Sequence, residues 1–308
     1  MTALLALRAL GLGDALTGVP ALRGLRRRYA DHLLLLAGPE PVSNWLASLG
    51  VVDGVVSTPD LSGRPPGRRL GSHLAVNLHG RGPQSHQLLQ AAAPRELIAF
   101  DSAAAGHLAG CRWFVDEHEV GRWCRLVASV GASCDAADLR LPITAASDRA
   151  VVIHPGAASM ARRWPATRWA HVVAGLRSDG HHVVLTGTEA ELCQALSVAS
   201  GAENLSGRLG IHQLAERVAS AALVLCGDTG IAHLATALGV RSVTLFGPVP
   251  PTWWGPAIDL DLHTVLYHGS RVGDPHADRP DEGLLRISVT EVLTAARAQL
   301  AGTRPPST

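Results

Sequence analysis

Lysine is missing from this chain of 308 residues, and all 27 basic side chains are arginines. Arginine stays charged and presents a planar fork of donors, so each contact with an anion can be two-pronged. Aspartate and glutamate together number 26, and the formal net charge is +1. Such a balance provides no general field for nucleic acid or an anionic membrane, so nucleic-acid binding is disfavoured.

The absence of paired cysteines and of long apolar segments further limits the class of protein to which the chain can belong. The five cysteines are scattered and form no C-x-x-C pair, which predicts reduced, mostly buried thiols in a cytoplasmic protein. No apolar run is long enough to cross a membrane, and the apolar N-terminal segment lacks a basic region and is interrupted by Arg8. We therefore expect a cytoplasmic monomer without a transmembrane segment, for which a peripheral membrane contact stays open.

Short apolar segments alternate with helical patterns along the whole chain. The Pro-containing stretch 139–150 interrupts this rhythm, which then restarts. The pattern predicts an α/β protein of two Rossmann-like, doubly wound domains, 1–146 and 147–308, with ligands at the carboxyl ends of parallel strands. Whether the final helix, 288–301, packs against the first domain stays open. The segments that predict strands in the first half are ALLALRA, HLLLLAG, VVDGVVS, HLAVNLHG and RELIAF.

The stretch LVLCGDTGIAHLATALG, from residue 223, carries the strongest signal of a binding site. A buried strand ends at Asp228, Thr229 and Gly230 turn the chain, and a helix begins. The free N–H groups of a helix start can hold a diphosphate. A simple helix cap at Asp228 or Thr229, and a core histidine at His233, are the alternative interpretations.

A second candidate lies in IHPGAASMARRWP, residues 153–165. Arg162 and Arg163 follow a strand and a Pro-Gly turn, where a ligand of a doubly wound sheet would lie. A guanidinium there could neutralise a leaving diphosphate. Ordinary solvated arginines remain the alternative.

The loop GLGDALTG, residues 11–18, raises a question. A glycine loop between a strand and a helix suits an anion, yet Asp14 would repel one. Asp14 is therefore either a helix cap or a group with a chemical task of its own.

Four motifs, GLGDALTGVPALRGLRRRY, HPGAASMARRWP, GDTGIAHLATALG and LFGPVPPTWWGP, stand in the order and spacing of a known family. Over about Leu5 to Pro256 the chain resembles glycosyltransferase family 9, the bacterial heptosyltransferases. The resemblance implies the GT-B fold, in which two Rossmann-like domains face across a cleft. It implies an inverting, metal-independent transfer of heptose from ADP-heptose, in lipopolysaccharide core biosynthesis or to another glycan, lipid-linked or small-molecule hydroxyl. No cofactor is implied besides the nucleotide-sugar substrate.

The resemblance also implies roles for residues of the first domain. The acid of the G-x-G-D loop, Asp14, would be the general base that takes the acceptor proton, with Gly13 beside the acceptor. The loop NLHGRGPQS resembles the acceptor-side loop of the family, which makes His79, Arg81 and Gln84 candidates for acceptor binding.

In the second domain, the resemblance implies that Arg162 contacts the diphosphate. Glu191 resembles the ribose-binding acid, with Glu189 as a close rival, and the alternative for both is an ordinary charged helix start. The helix start would hold the phosphates and the donor hydroxyls through Asp228, Thr229, Gly230 and His233.

Other functions are weighed against this one. A nicotinamide dehydrogenase would need a third glycine where Leu16 stands. A D-x-D string occurs at Asp259 and Asp261, but it follows the core motifs, where we expect a peripheral strand or loop, and no metal site is predicted. Trp253 and Trp254 either wall the donor pocket or are buried core residues. A nucleotide-sugar epimerase and a non-catalytic sugar-nucleotide-binding protein of the same fold stay open.

Overall fold

A computed structural model describes residues 2–146 and 148–302. The chain divides into two compact units, Met1–Leu139 and Arg140–Thr308. This division and the predicted one after residue 146 both fall in the stretch 139–150. Each unit contains one sheet, and every strand pair in both sheets is parallel.

The sheet of the first unit has five strands in the order β3-β2-β1-β4-β5. Its central strand β1 is completely buried and aligns Leu5 with Leu35 on one side and Ala75 on the other. All five strands correspond to the apolar segments that predicted them. Their bounds are Ala3–Leu7 for β1, Leu33–Gly38 for β2, Gly54–Ser57 for β3, His73–Asn77 for β4 and Glu96–Ile98 for β5.

The described residues of the first unit, 2–139, form five α-helices and two 3₁₀ turns. The predicted helix near Asp14 is in fact two short helices, because the chain turns at Gly18 ahead of Pro20. The helices are Leu12–Thr17 (α1), Val19–Arg28 (α2), Glu40–Ser48 (α3), Gln84–Gln90 (α4) and Glu119–Ala128 (α5), and the turns are Ala103–Ala105 and Ala136–Leu139.

The second unit has a six-stranded sheet in the order β11-β10-β9-β6-β7-β8. The four inner strands were predicted from their apolar sequences, whereas the two at the edges are short or only partly buried. The bounds are Val151–His154 (β6), Val183–Leu185 (β7), Glu203–Asn204 (β8), Leu223–Gly227 (β9), Ser242–Phe246 (β10) and His263–Tyr267 (β11).

The helices of the second unit cover its sheet. The last of them begins with the reciprocal Ser288 and Glu291 cap that its sequence predicts. Its residues Val292 and Ala296 join the hydrophobic core of this unit. The helices are Ala166–Ser178 (α6), Ala190–Ser200 (α7), Ile211–Ala219 (α8), Gly230–Leu238 (α9), Pro251–Trp254 (α10), Glu282–Arg286 (α11) and Val289–Leu300 (α12), and the 3₁₀ turns are Met160–Arg162 and Leu260–Leu262.

The cysteines are free thiols, as expected, but only Cys193 and Cys226 are fully buried. The expectation that most are buried is therefore wrong. Within the described part of the chain, no helix is long and apolar enough to cross a membrane.

Candidate active site

Each sheet has one place where the strand order reverses direction. It lies between β1 and β4 in the first unit and between β6 and β9 in the second. Ligands of open parallel sheets bind outside the carboxyl ends of the strands at such switch points. Most of the predicted site residues follow these strand ends, whereas Glu191 and its rival Glu189 follow β7, the neighbour of β6.

Asp14 is the third residue of α1, in the connection that follows β1. The cap position of this helix is Gly11, so Asp14 is not the N-cap residue. The side chain of Asp14 is 33% exposed, and its Oδ1 lies 4.0 Å from Nη2 of the buried Arg8. The carboxylate can therefore meet a substrate while a cation lies behind it.

His79 lies two residues beyond β4, beside the connection that carries Asp14. Its Nδ1 accepts a hydrogen bond from the backbone N–H of Ala9 at 3.2 Å, so the ring proton lies on Nε2. Burial, reinforced by the charge of Arg8, lowers the pKa of His79 to about 4. The ring is therefore neutral at pH 7 and carries one N–H donor.

Buried polar side chains hold the loop that carries His79. Asn77, the last residue of β4, accepts from the His79 N–H through Oδ1 at 3.0 Å. Its amide nitrogen donates to Ser85 Oγ at 2.9 Å and lies 3.0 Å from His86 Nδ1. His86 Nε2 in turn lies 2.8 Å from the Phe100 carbonyl oxygen. The hydrogen bonds of Asn77 thus fix the backbone of the loop at the switch point.

The remaining candidates of the first unit lie on the same two connections. Gly13 precedes Asp14 in the first turn of α1 and is partly buried. Arg81 is exposed in the loop after His79, and Gln84 is the exposed first residue of α4. Both side chains are accessible to a ligand.

Arg162 lies at the switch point of the second unit. It ends the 3₁₀ turn after β6, and its Nη1 donates to the backbone carbonyl of Asp228 at 3.2 Å. Its Nε is buried without a hydrogen-bond partner among the described residues. A buried guanidinium N–H without a partner is unfavourable by about 1–3 kcal/mol, so this atom is suited to an anionic ligand.

The end of β9 and the start of α9 form the other wall of this switch point. Asp228 and His233 are buried, and Gly230 begins the helix. Thr229 occupies the N-cap position of α9, but its hydroxyl makes no capping hydrogen bond and lies 3.4 Å from the Gly227 carbonyl. The side chain therefore leaves the first turn of the helix open to a ligand.

Trp254 extends this wall, with its ring 6.0 Å from that of His233. Trp253 and Trp254 are both partly exposed in α10. The interpretation of this pair as buried core residues is wrong. A ring beside the start of α9 can contact a bound ligand.

The two rival glutamates have different surroundings. Glu189 lies 3.5 Å from Arg163 Nη2. A Cβ added at Gly156, just after β6, would come within 1.9 Å of Glu189 Oε2. Glu191 is exposed on the first turn of α7. The structure therefore brings Glu189, and not Glu191, to the end of β6.

A second partly buried histidine, His154, lies close to Glu189 around Gly187. The ring Nδ1 of His154, at the end of β6, is 3.1 Å from Thr186 Oγ1. Burial lowers the pKa of His154 to about 4, although the charge of Glu189 acts in the opposite direction. The ring is neutral at pH 7, so Arg162 and Arg163 are the cations near this strand end.

The D-x-D string has a structural role. Asp259 pairs with Arg140, and Asp261 is exposed in the 3₁₀ turn before β11. No group of three or more histidine, cysteine or acidic side chains within the described residues could hold a metal ion.

Two residues of the site were missed by sequence reasoning. Arg8 was noted only as an interruption of an apolar segment, and Asn77 only as a letter of the quoted strand and loop segments, whereas Glu189 was named as the rival of Glu191. A single polar residue at the end of an apolar run was the available signal for Arg8 and Asn77, because strands end at the ligand edge of such sheets.

Two doubly wound parallel sheets, each with candidate residues at its switch point, define the GT-B class of fold. The crystal structure of a glycosyl transferase family 9 protein from Veillonella parvula matches with a TM-score of 0.81 at 18% identity, over 98% of each chain. The structure of Escherichia coli ADP-heptose lipopolysaccharide heptosyltransferase II matches with a TM-score of 0.76 at 18% identity, over 97% of this chain and 99% of that one. The GT-B fold class is confirmed.

Sequence comparison gives a family match over part of the chain. Residues 123–271 match the model of glycosyltransferase family 9 (heptosyltransferase). Lipopolysaccharide heptosyltransferase 2 of E. coli K12 is 33% identical over 152 residues, which are 46% of this chain and 43% of the relative. The match to glycosyltransferase family 9 covers just under half of the chain, and the matched region spans less than half the length of this curated relative.

A more distant structural neighbour differs in its metal content and assembly. It is the iron-containing dodecameric glycosyltransferase TibC from enterotoxigenic E. coli, with a TM-score of 0.59 at 15% identity, over 98% of this chain and 74% of that one. At this identity the likeness concerns the fold.

Proposed function

We propose that the chain is an inverting, metal-independent glycosyltransferase that transfers heptose from ADP-heptose to an acceptor hydroxyl. The observation that carries the proposal is Arg162, whose Nε is buried without a partner among the described residues while its Nη1 reaches the carbonyl of Asp228. A guanidinium beside a helix start is suited to a diphosphate. The heptosyltransferase names of the relatives support heptose as the transferred sugar.

On the donor side, Arg162 and the first N–H groups of α9 bind the diphosphate. Both interactions strengthen as the bond between the sugar C1 and the diphosphate oxygen breaks, because negative charge then collects on the departing ADP. Glu189 accepts hydrogen bonds from the ribose hydroxyls, and Asp228 and His233 orient the donor. The first choice from the sequence for the ribose acid, Glu191, is replaced in this proposal by Glu189.

On the acceptor side, Asp14 takes the proton of the attacking hydroxyl. The new bond forms from the acceptor oxygen to C1 on the face opposite to ADP, so the configuration at C1 inverts. The proton stays on Asp14 until it is lost to water. Gly13, His79, Arg81 and Gln84 bind the acceptor, and a lipopolysaccharide core sugar is the acceptor that the names of the relatives suggest.

Metal independence follows from the same assignment. Arg162 supplies the positive charge that a divalent cation would otherwise supply to the leaving diphosphate. Transfer should therefore survive a chelator.

The test is transfer by the purified full-length protein, with ADP-heptose, a lipopolysaccharide core acceptor and EDTA. Mass spectrometry should show an acceptor larger by one heptose, and NMR of the new linkage should show inversion at C1. Failure with every core acceptor and with other nucleotide sugars would reject the enzyme, and interconversion of the donor alone would identify an epimerase. Loss of turnover in EDTA that iron or Mn²⁺ restores would reject metal independence.

A further inference from the structure

Arg8 lies buried beneath the candidate base. It directly follows β1, is 1% exposed, and its Cζ lies 4.7 Å from the ring centre of Trp123. Nη2 donates to Thr17 Oγ1 at 2.8 Å. Nε donates to the backbone carbonyl of Asp14, and Nη1 donates to that of Leu78. One side chain thus joins α1 to the chain that leaves β4.

The charges around Arg8 do not balance without Asp14. Glu119 Oε1 lies 3.3 Å from Arg8 Nη2, while Glu119 Oε2 accepts from Arg122 Nε at 3.0 Å. Two buried guanidinium groups therefore share one buried carboxylate. A nearby carboxylate, Glu117, is paired with Arg125 at 2.7 Å.

Asp14 supplies the missing negative charge. Its Oδ1 is 4.0 Å from Arg8 Nη2, and no acid besides Asp14 and Glu119 lies within ion-pair distance of Arg8 in the described part of the chain. A buried charge without compensation is strongly unfavourable, so the Asp14 carboxylate balances the charge of the cluster. A carboxylate is a group that can accept a proton.

The same cation acts on His79. Arg8 holds the Leu78 carbonyl, one residue before His79, and its charge opposes protonation of the ring. The Nδ1 of the ring already accepts from the N–H of Ala9, so its free position is the Nε2–H donor. The Asp14 carboxylate and the neutral N–H donor of His79 therefore lie in the two connections, after β1 and after β4, that Arg8 joins.

We propose that Arg8 is a positioning residue for the transfer reaction, which holds the Asp14 carboxylate in register with His79. Arg8 itself touches no reacting atom. The inference rests on the proposed function, because it assigns Arg8 a task for the candidate base and for an acceptor-binding donor. A purely structural Arg8 would serve only the packing of α1 and α5.

The test compares Arg8→Met and Arg8→Lys with the matched control Arg122→Met in the full chain. Arg122 is buried in the same cluster and shares Glu119, and its other hydrogen bonds in the described structure go to the backbone carbonyls of Phe114, Val115 and Glu117. Arg8→Met should lower kcat by about 10²-fold, the loss expected when a catalytic group is misplaced by about 1 Å. ADP affinity should stay unchanged, because the donor residues belong to the other unit.

Arg8→Lys should recover part of the rate, because lysine keeps the positive charge but lacks the planar set of donors of a guanidinium. Arg122→Met should unfold at lower denaturant concentration yet keep kcat within about threefold of the parent. Equal losses of kcat in Arg8→Met and Arg122→Met would overturn the inference, as would an Arg8→Met rate near that of the parent.

The titration of His79, followed by NMR and assigned with His79→Gln, is independent of activity. It should move from a pKa of about 4 toward the ordinary value of about 6.5 in Arg8→Met and stay in place in Arg8→Lys and Arg122→Met. An unmoved titration in Arg8→Met would overturn the inference even if no transfer activity were found. Should Arg8→Met not fold, the Arg8→Lys rate and titration decide.

Discussion

Arg162 Nη1 donates to the backbone carbonyl of Asp228 at 3.2 Å, which joins the turn after β6 to the end of β9. These two strands flank the switch point of the second sheet. The bond anchors one arm of the guanidinium, while Nε remains buried without a partner in the described structure. A guanidinium held on one side and unsatisfied on the other is prepared for an anion.

The first prediction concerns this guanidinium. Arg162→Ala should weaken ADP binding by about 10- to 100-fold, since a charged hydrogen bond contributes about 1.5–3 kcal/mol. Calorimetry with ADP measures the change. Arg177→Ala, at an exposed position of α6, is the control and should bind as the parent does. Equal affinities for Arg162→Ala and the parent would remove Arg162 from the donor site.

Asp14→Asn tests the general base. The amide keeps the size of the side chain but cannot accept the acceptor proton, so kcat should fall by about 10²–10⁴. ADP affinity should stay the same, because the donor is held by the other unit. A rate within about threefold of the parent would show that Asp14 has only a structural role.

A pair of variants separates the two candidate ribose acids. Glu189→Gln should weaken ADP binding by about tenfold, whereas Glu191→Gln, its matched control two residues further on, should change little. Gly156→Ala should mimic Glu189→Gln, because the new Cβ would lie 1.9 Å from Glu189 Oε2 and the carboxylate must move. A loss confined to Glu191→Gln would restore the first choice from the sequence.

Buried His263 should make stability depend on pH. Burial lowers its pKa to about 4, although Asp259 and Asp261 oppose the shift. The unfolded chain binds the proton near pH 6.5, so the stability conferred by the neutral ring is present above that pH and is lost as pH falls toward 4. The loss amounts to about 3 kcal/mol for one histidine with this shift.

Urea unfolding at intervals from pH 7 to 4 measures this dependence. His263→Gln should flatten the slope, while His212→Gln, at an exposed position of α8, controls for the loss of an imidazole. Parallel stability curves for His263→Gln and the parent would contradict the prediction.

Much of the fold was predictable because parallel strands covered on both faces are continuous apolar segments bounded by turns. All five strands of the first unit and the four inner strands of the second carried that signal. The edge strands β8 and β11 did not, since one has two residues and the other is only partly buried. The split of α1 from α2 was also missed, although Gly18 and Pro20 mark it.

The sequence by itself determined the strand rhythm and the resemblance to glycosyltransferase family 9, which implied the GT-B fold, because both depend on local patterns and on motifs that are contiguous in the chain. Only the tertiary structure distinguished the surroundings of Glu189 and Glu191, because it brings Glu189 next to Gly156, which follows another strand. Only the tertiary structure also showed Arg8 against Asp14, Leu78 and Glu119. Contacts across about 70 to 110 residues are set by packing, and no local pattern encodes them.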